Sequence, residues 1–400
     1  MVFFDRVSLA PPDPILGLTA AFRKDLRKNK VNLGVGLYKT EDLKTPVLNS
    51  VKTAEQMLLS SEKSKEYLAI DGEWLYLDQM GSLVFGEEFW TKQKGRIAAF
   101  QSVGGTGALK IGGLFLKEEV DHPIWISTPT WPNHRGVFLS CKLHVENYPY
   151  YDIKNHRTDF AAMLACFEAL PPGTIVSLHA CCHNPSGCDP TFEESKTLIL
   201  LLKERQLIPF FDFAYQGFGC GIQKDAEVIR YCAQIGQEML VAVSNAKNLS
   251  LYGERVGCLF VVAESAKIAE HITSRIKQII RTDYSNPPMH GAEVVACVLG
   301  TPSLRCQWEA ELKEMRERIN RMRLELSERL SQRCPTVDFI FLKNGKGMFG
   351  FSSLSRTGVE RLIAEYGIYM SADGRINVCG LNEHNIDYVV DAIATVGYGV

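Results

Sequence analysis

Residues 241–257 read VAVSNAKNLSLYGERVG. A short β-type run, 239–243, ends there in small and polar residues, and Lys247 follows it. Ser244 stands three residues before the lysine and Arg255 eight after it. A lysine just past a buried strand is held at the rim of the sheet, where open α/β sheets bind ligands. Desolvation and neighbouring charge lower an amine's pKa and free it to attack a carbonyl. A serine hydroxyl and a guanidinium on the same turn suit a phosphate. A molecule carrying both an aldehyde and a phosphate, as pyridoxal phosphate does, needs this combination.

Two other readings fit the same letters. A lone lysine in a loop is the ordinary look of a solvated surface residue. Ser-x-x-Lys is also the nucleophile motif of penicillin-binding proteins and serine β-lactamases, which predicts a later Lys-Thr-Gly. The chain has none. The rest of the sequence has to decide.

Working outward from the lysine, apolar runs alternate with helical patterns from about residue 96 to 265. RIAAFQS, PIWIST, LHVENYPY, TIVSLHA, LIPFFD, MLVAVS and GCLFVV are the expected strands. Near-continuous apolar strands separated by helices predict an α/β fold with a mostly parallel seven-stranded sheet covered on both faces. Residues 303–333 differ. Trp308, Leu312, Met315, Ile319, Met322, Leu326 and Leu330 recur at steps of three and four, one stripe of a long amphipathic helix that bridges two domains. After it come DFIFL, MFGFSS, GIYMS and RINVC, expected strands, with a helix over 357–366 among them. That is an α+β unit, completed by the first residues of the chain. These begin with the turn punctuation Pro11, Pro12 and Pro14 and a strand-like segment ending at VNLGVGLY. The expected division is a large domain over 46–314 and a small one from 1–45 and 315–400.

Four hundred residues leave room for that division. Hydrophobic content of 46% and charged content of 22% are those of a soluble globular enzyme. Lysine plus arginine (44) nearly balances aspartate plus glutamate (46), which argues against nucleic acid or a membrane surface as partner. No apolar run approaches a membrane span, and MVFFDRVSLAPP reaches Asp5 too soon for a signal peptide, so the expected location is the cytoplasm. Cys181, Cys182, His183 and Cys188 lack the paired Cys-x-x-Cys geometry of zinc sites and read as small buried side chains, with no metal expected.

Other positions carry chemistry. Gly104-Gly105-Thr106-Gly107 lies between a strand and a helix, where backbone N–H groups at a helix N-terminus attract anions, although a plain tight turn has the same letters. Asp212 ends LIPFFD, with Tyr215 three residues on. A carboxylate there needs a cationic partner, such as a protonated pyridine nitrogen, or serves as a helix N-cap. Asn184 is a turn residue or a hydrogen-bonding one, and Trp131 is core or a stacking surface. Arg281 and Arg375 are surface charges or bidentate carboxylate ligands.

Taken together, APPDPILGL, VNLGVGLYK, KTPVL, EYLAIDG, GGTGAL, TWPNH, CCHNPSGCDPT, FFDFAYQGF, LYGERVG, YSNPPMHG and GRINV resemble, in order, the segments of the aspartate aminotransferase family. These are class I pyridoxal-phosphate aminotransferases of fold type I. The resemblance implies that Lys247 forms the internal Schiff base and shuttles the proton between substrate and cofactor. It implies that Asp212, backed by His134, pairs with the pyridinium nitrogen. Asn184 and Tyr215 would bond the ring's phenolic oxygen, and Trp131 would stack on the ring. Gly105, Thr106, Ser244 and Arg255 would hold the phosphate, joined by Tyr67 of a partner subunit in a homodimer. Arg375, near Gly36, would bind the α-carboxylate of the amino-acid or 2-oxo-acid substrate, and Arg281 from the partner a side-chain carboxylate. An aromatic amino-acid aminotransferase on the same scaffold is the alternative. Many relatives have a second serine just before the lysine; here the stretch is Ser244-Asn245-Ala246-Lys247, so the surroundings of the amine are expected to differ.

Overall fold

The computed structural model describes residues 3–9 and 14–398. Pro11 and Pro12, and with them the start of APPDPILGL, lie outside the described residues. All seven expected central strands form: β1 (Ile97–Val103), β2 (Ile124–Thr128), β3 (Val145–Pro149), β4 (Ile175–His179), β5 (Ile208–Phe213), β6 (Met239–Ser244) and β7 (Val256–Val262). Their order across the sheet is β1-β7-β6-β5-β4-β2-β3. The pairs β2–β3, β2–β4, β4–β5 and β5–β6 are parallel, whereas β7 runs antiparallel to both β1 and β6.

Side chains alternate across the sheet with period two, yet both faces are covered. Phe210, Leu240 and Leu259 enter one core together with Ile111 of α1 (Gly104–Glu119) and Ile276 of α2 (Ala266–Asp283). Their neighbours Phe211, Val241 and Phe260 enter the other core, with Trp308 and Met315 of α3 (Pro302–Arg333). Every residue of β6 and β7 is therefore buried.

The expected long helix is α3, and all seven residues of its apolar stripe are buried. It also carries Arg323, 1% exposed, whose guanidinium donates to the carbonyls of Leu342, Lys346, Gly347 and Phe349. A buried cation is tolerable here because those carbonyl oxygens replace its water. The two ends of the chain meet: Val31–Asn32 pairs in parallel with Ile368–Tyr369, and Phe349–Phe351 pairs antiparallel with Arg375–Asn377.

One expected strand is a helix. DFIFL contributes to Ile340–Asn344, with the Asp338 carboxylate accepting from the Ile340 N–H at 2.8 Å. The buried positions are Phe339 and Leu342, three apart, while Ile340 is exposed. That is helical spacing, and five mostly apolar letters cannot be told from a strand by periodicity. Among the described residues no helix is long and apolar enough to cross a membrane.

Candidate active site

The parallel strands deliver their C-terminal ends to one rim of the sheet, and a cavity of about 260 Å³ lies there. Gly36, Gly105, Thr106, Trp131, Asn184, Asp212, Tyr215, Ser244, Lys247, Arg255 and Arg375 all line it. These are the expected site residues, apart from Tyr67 and Arg281. Residues separated by more than 300 positions thus converge on one space.

The loop bearing Lys247 spans the turn between β6 and β7, and hydrogen bonds to distant segments tie it down. Tyr76 Oη donates to Asn245 Oδ1 at 2.6 Å, and Trp308 Nε1 to the Asn248 carbonyl at 2.8 Å. Ser250 Oγ donates to the Pro46 carbonyl at 2.5 Å, and the Tyr38 N–H to Tyr252 Oη at 2.8 Å. Asn245 is completely buried and its Nδ2 approaches Met80 Sδ at 3.4 Å, so its amide is turned away from the amine. The departure from the serine-bearing pattern is felt at Ala246, whose side chain lines the cavity.

Burial lowers the Lys247 pKa, and the nearby Arg255 lowers it further against the opposing pull of Asp212. Its Nζ stands 4.6 Å from the centroid of the Tyr215 ring. Burial alone would raise the Asp212 carboxyl, but the hydrogen bond from His134 and the charges of His134, His179 and Lys247 outweigh it. The net result is a carboxyl held below its ordinary range. Burial, reinforced by Asp212, pushes the Tyr215 phenol well up, so it stays a neutral donor.

Opposite the lysine, α1 begins directly after β1. Gly104 has φ +68°, and a Cβ there would meet Arg255 Nη2 at 2.6 Å. A Cβ on Gly257 would meet the Gly104 carbonyl carbon at 2.5 Å. Glycine at both positions lets the guanidinium and strand β7 close on the first turn of α1. Free N–H groups of that turn, Thr106, Ser244 and Arg255 together make an anion cradle.

At the other end, Arg375 is buried and donates to the Gly34 carbonyl at 2.8 Å and to Asn184 Oδ1 at 3.2 Å. Its Cζ lies 4.5 Å above the Phe349 ring, and its Nε is buried with no partner. An unpaired donor on a buried cation calls for an anionic ligand. Gly36 also lies against Phe349, where an added Cβ would stand 3.0 Å from Cζ. Trp131 meets the His134 ring edge-on at 5.3 Å.

Leu109, Ala214, Tyr252 and Phe349 also line the cavity and were not expected there. Tyr252 stands in the quoted LYGERVG, and Phe349 follows the Gly347-Met348 pair, but neither letter declares an active-site role. Tyr67 (93% exposed) and Arg281 (exposed) do not line the cavity of their own chain.

Fold and cavity together define an α/β enzyme built around a buried amine, an ionised carboxylate and an anion cradle. The residues fit pyridoxal phosphate: the amine can meet its aldehyde, the cradle its phosphate, and Asp212 its ring nitrogen. The sequence model of the class I and II aminotransferases matches residues 28–393. The chain is 45% identical to the aspartate aminotransferase of Pseudomonas aeruginosa over 397 residues, covering 99% of this chain and all of that one. It is 43% identical to the aromatic-amino-acid aminotransferase of Escherichia coli, covering 98% and 100%. The structure of an aromatic-amino-acid aminotransferase from Burkholderia pseudomallei, covalently bound to pyridoxal phosphate, superposes with a TM-score of 0.96 at 45% identity, covering 99% and 100%. The chain belongs to the class I and II aminotransferases and is a pyridoxal-phosphate-dependent enzyme of that family.

Proposed function

We propose that this aminotransferase moves the amino group of aspartate, or of another amino acid, to 2-oxoglutarate by a ping-pong cycle. In the same reading it acts in the cytoplasm as a homodimer with shared sites, and residues 46–314 form the large domain, with 1–45 and 315–400 the small one. The observation that carries the catalytic reading is the unpaired Nε of buried Arg375 in the same cavity as Lys247. A carboxylate held by Arg375 leaves the atoms next to it within that cavity, beside the amine.

Pyridoxal phosphate, when bound, supplies the carbonyl that takes up the amino group and a ring that accepts the electron pair released at the substrate's α-carbon. The protein's own residues do the rest. Lys247, favoured in its neutral form by burial, would take the proton from the substrate's α-carbon and deliver it to the cofactor's C4′ carbon. Asp212 stays ionised because His134 donates to it, and so holds a proton on the base it faces. Gly105, Thr106, Ser244 and Arg255 grip the phosphate, Asn184 and Tyr215 donate to the ring's oxygen, and Trp131 covers a face. Arg375 orients the α-carboxylate beside Gly36.

Arg281 and Tyr67 are assigned to the partner's site. The support is that both are exposed and that Tyr67 lies in one stretch with Leu59, Trp74 and Leu75, large apolar side chains open to solvent. A second reading, preference for aromatic amino acids, draws on the cavity walls of Trp131, Tyr215, Phe349 and Leu109. Specificity constants for aspartate, phenylalanine and tyrosine with 2-oxoglutarate decide between them. The aspartate reading predicts the largest value for aspartate; a larger value for the aromatics overturns it.

A further inference from the structure

Arg281 lies in the last turn of α2, and its Nη1 donates to Ser285 Oγ at 2.5 Å. The Ser285 hydroxyl in turn donates to Asn286 Oδ1 at 2.9 Å. Asn286 Nδ2 donates to the carbonyl of Leu68 at 2.7 Å, one residue past Tyr67. A relay therefore runs from Arg281 to the backbone carbonyl next to Tyr67, the other residue assigned to the partner's site.

The backbone is bent to make this relay. Ser285 has φ +70°, a region that glycine enters freely and a residue with a Cβ does not. The N–H groups of Tyr284 and Ser285 both reach the Ile280 carbonyl, at 3.1 and 3.0 Å, folding the chain back over the helix end. Tyr284 Oη and Gln101 fix the segment to β1: Tyr284 donates to the Gln101 carbonyl at 3.1 Å, and Gln101 Nε2 to the Pro288 carbonyl at 2.6 Å. The turn thus delivers a hydroxyl onto Arg281. An arginine complementing the helix dipole would sit in this last turn without any serine, so the dipole does not account for the relay.

We infer that Ser285, backed by Asn286, is the positioning residue for the Arg281 guanidinium and thereby sets the preference for substrates with a second carboxylate. The inference rests on the proposed role of Arg281. Anchoring Nη1 leaves Nη2 and Nε free to meet two carboxylate oxygens. An arginine already held in place also loses less rotamer freedom on capturing its ligand.

The test compares kcat/KM for aspartate and for phenylalanine, each with 2-oxoglutarate, in holoenzyme carrying Ser285→Ala, Ser285→Gly, Arg281→Leu, or Arg281→Leu combined with Ser285→Gly. Glycine accepts φ +70° without strain, so it removes the hydroxyl while sparing the turn. Both serine variants should lower the aspartate value about ten-fold, the scale of one charge-assisted hydrogen bond, and leave phenylalanine within about two-fold. Succinate binding measured by calorimetry should weaken in parallel. In the Arg281→Leu background, Ser285→Gly should change neither substrate, because its effect passes through the arginine. Full activity of Ser285→Gly on aspartate, an equal loss on phenylalanine, or an undiminished loss in the Arg281→Leu background overturns the assignment of Ser285. Arg281→Leu costing both substrates alike overturns the reading of Arg281, and the role of Ser285 with it.

Discussion

His134 and Asp212 share a hydrogen bond, Nε2 to Oδ2, at 3.0 Å, and the other ring nitrogen of His134 lies 2.8 Å from Thr130 Oγ1. An ionised carboxylate can only accept, so Nε2 carries the proton that faces Asp212, and the Thr130 hydroxyl, able to donate or to accept, pairs with Nδ1. The carboxylate thus fixes the proton on Nε2, and the threonine holds the ring in place from the other side. Replacing His134 with phenylalanine leaves Asp212 with its burial penalty and without its principal donor. Its pKa should rise, and cofactor retention measured by absorbance after dialysis should fall at least several-fold, the steeper loss coming at acidic pH. Unchanged retention across pH 5 to 8 would show that the pair is not needed for Asp212 to stay ionised.

Lys247 makes stability depend on pH in the cofactor-free protein. Its folded pKa lies below the ordinary 10.5, so between the two values the unfolded chain binds more protons than the folded one. Stability then rises with pH through that window. Urea titrations should show wild type gaining on Lys247→Met as pH climbs from neutrality toward 10.5. A constant difference would mean that the amine feels no net burial.

The same amine should be the point of covalent attachment. Holoenzyme should be yellow, and borohydride followed by peptide mapping should find the cofactor fixed on Lys247. Lys247→Ala should retain cofactor through the anion cradle and Asp212 while losing nearly all turnover. An adduct on any other lysine would refute the assignment.

Ala246 and Asn245 separate by readout. Ala246→Ser adds a hydroxyl to the cradle wall next to Ser244, and cofactor release should slow by up to about ten-fold, one hydrogen bond to a charged group. Asn245→Ala strands the buried Tyr76 hydroxyl at a cost of about 1–3 kcal/mol, so the melting temperature should fall while the bound cofactor's spectrum stays the same. A spectral change in Asn245→Ala would mean that its amide does reach the site.

Shared sites predict complementation. Lys247→Ala and Arg281→Leu chains, each inactive toward aspartate, form hybrids when mixed, and one site in each hybrid carries neither defect. Random pairing makes half the dimers hybrid, so about a quarter of wild-type aspartate activity should return. If native mass spectrometry detects hybrids and activity does not return, Arg281 does not act across the interface.

Much of this was legible in the sequence because the sheet repeats one signal. Seven runs of strand length, mostly apolar, gave the strands, and the polar letters that end LIPFFD and MLVAVS marked the rim where Asp212 and Lys247 collect. The small α+β unit was harder. Its strands are two or three residues long, and DFIFL has the aromatic content of a strand but buries Phe339 and Leu342 as a helix does. The direction of Asn245 was illegible for another reason: its partner Tyr76 lies 169 positions away, and no local pattern links them. Ser285 escaped notice because its importance lies in a backbone angle, which no side-chain letter records.

The strands flanking the lysine pair Ser244 with Gly257, so the residues between them form a closed stitch in the sheet. Strand registers move only in whole residues, and a single step would turn every side chain of β6 or β7 to the opposite face. A deletion of one residue within β6 or β7 therefore strikes amine, hydroxyl and guanidinium at once. Diversity in a library built on this scaffold belongs between the fastened points of the loop, at an exposed position such as Gly253, where an added Cβ meets nothing within 4 Å, rather than at its seams.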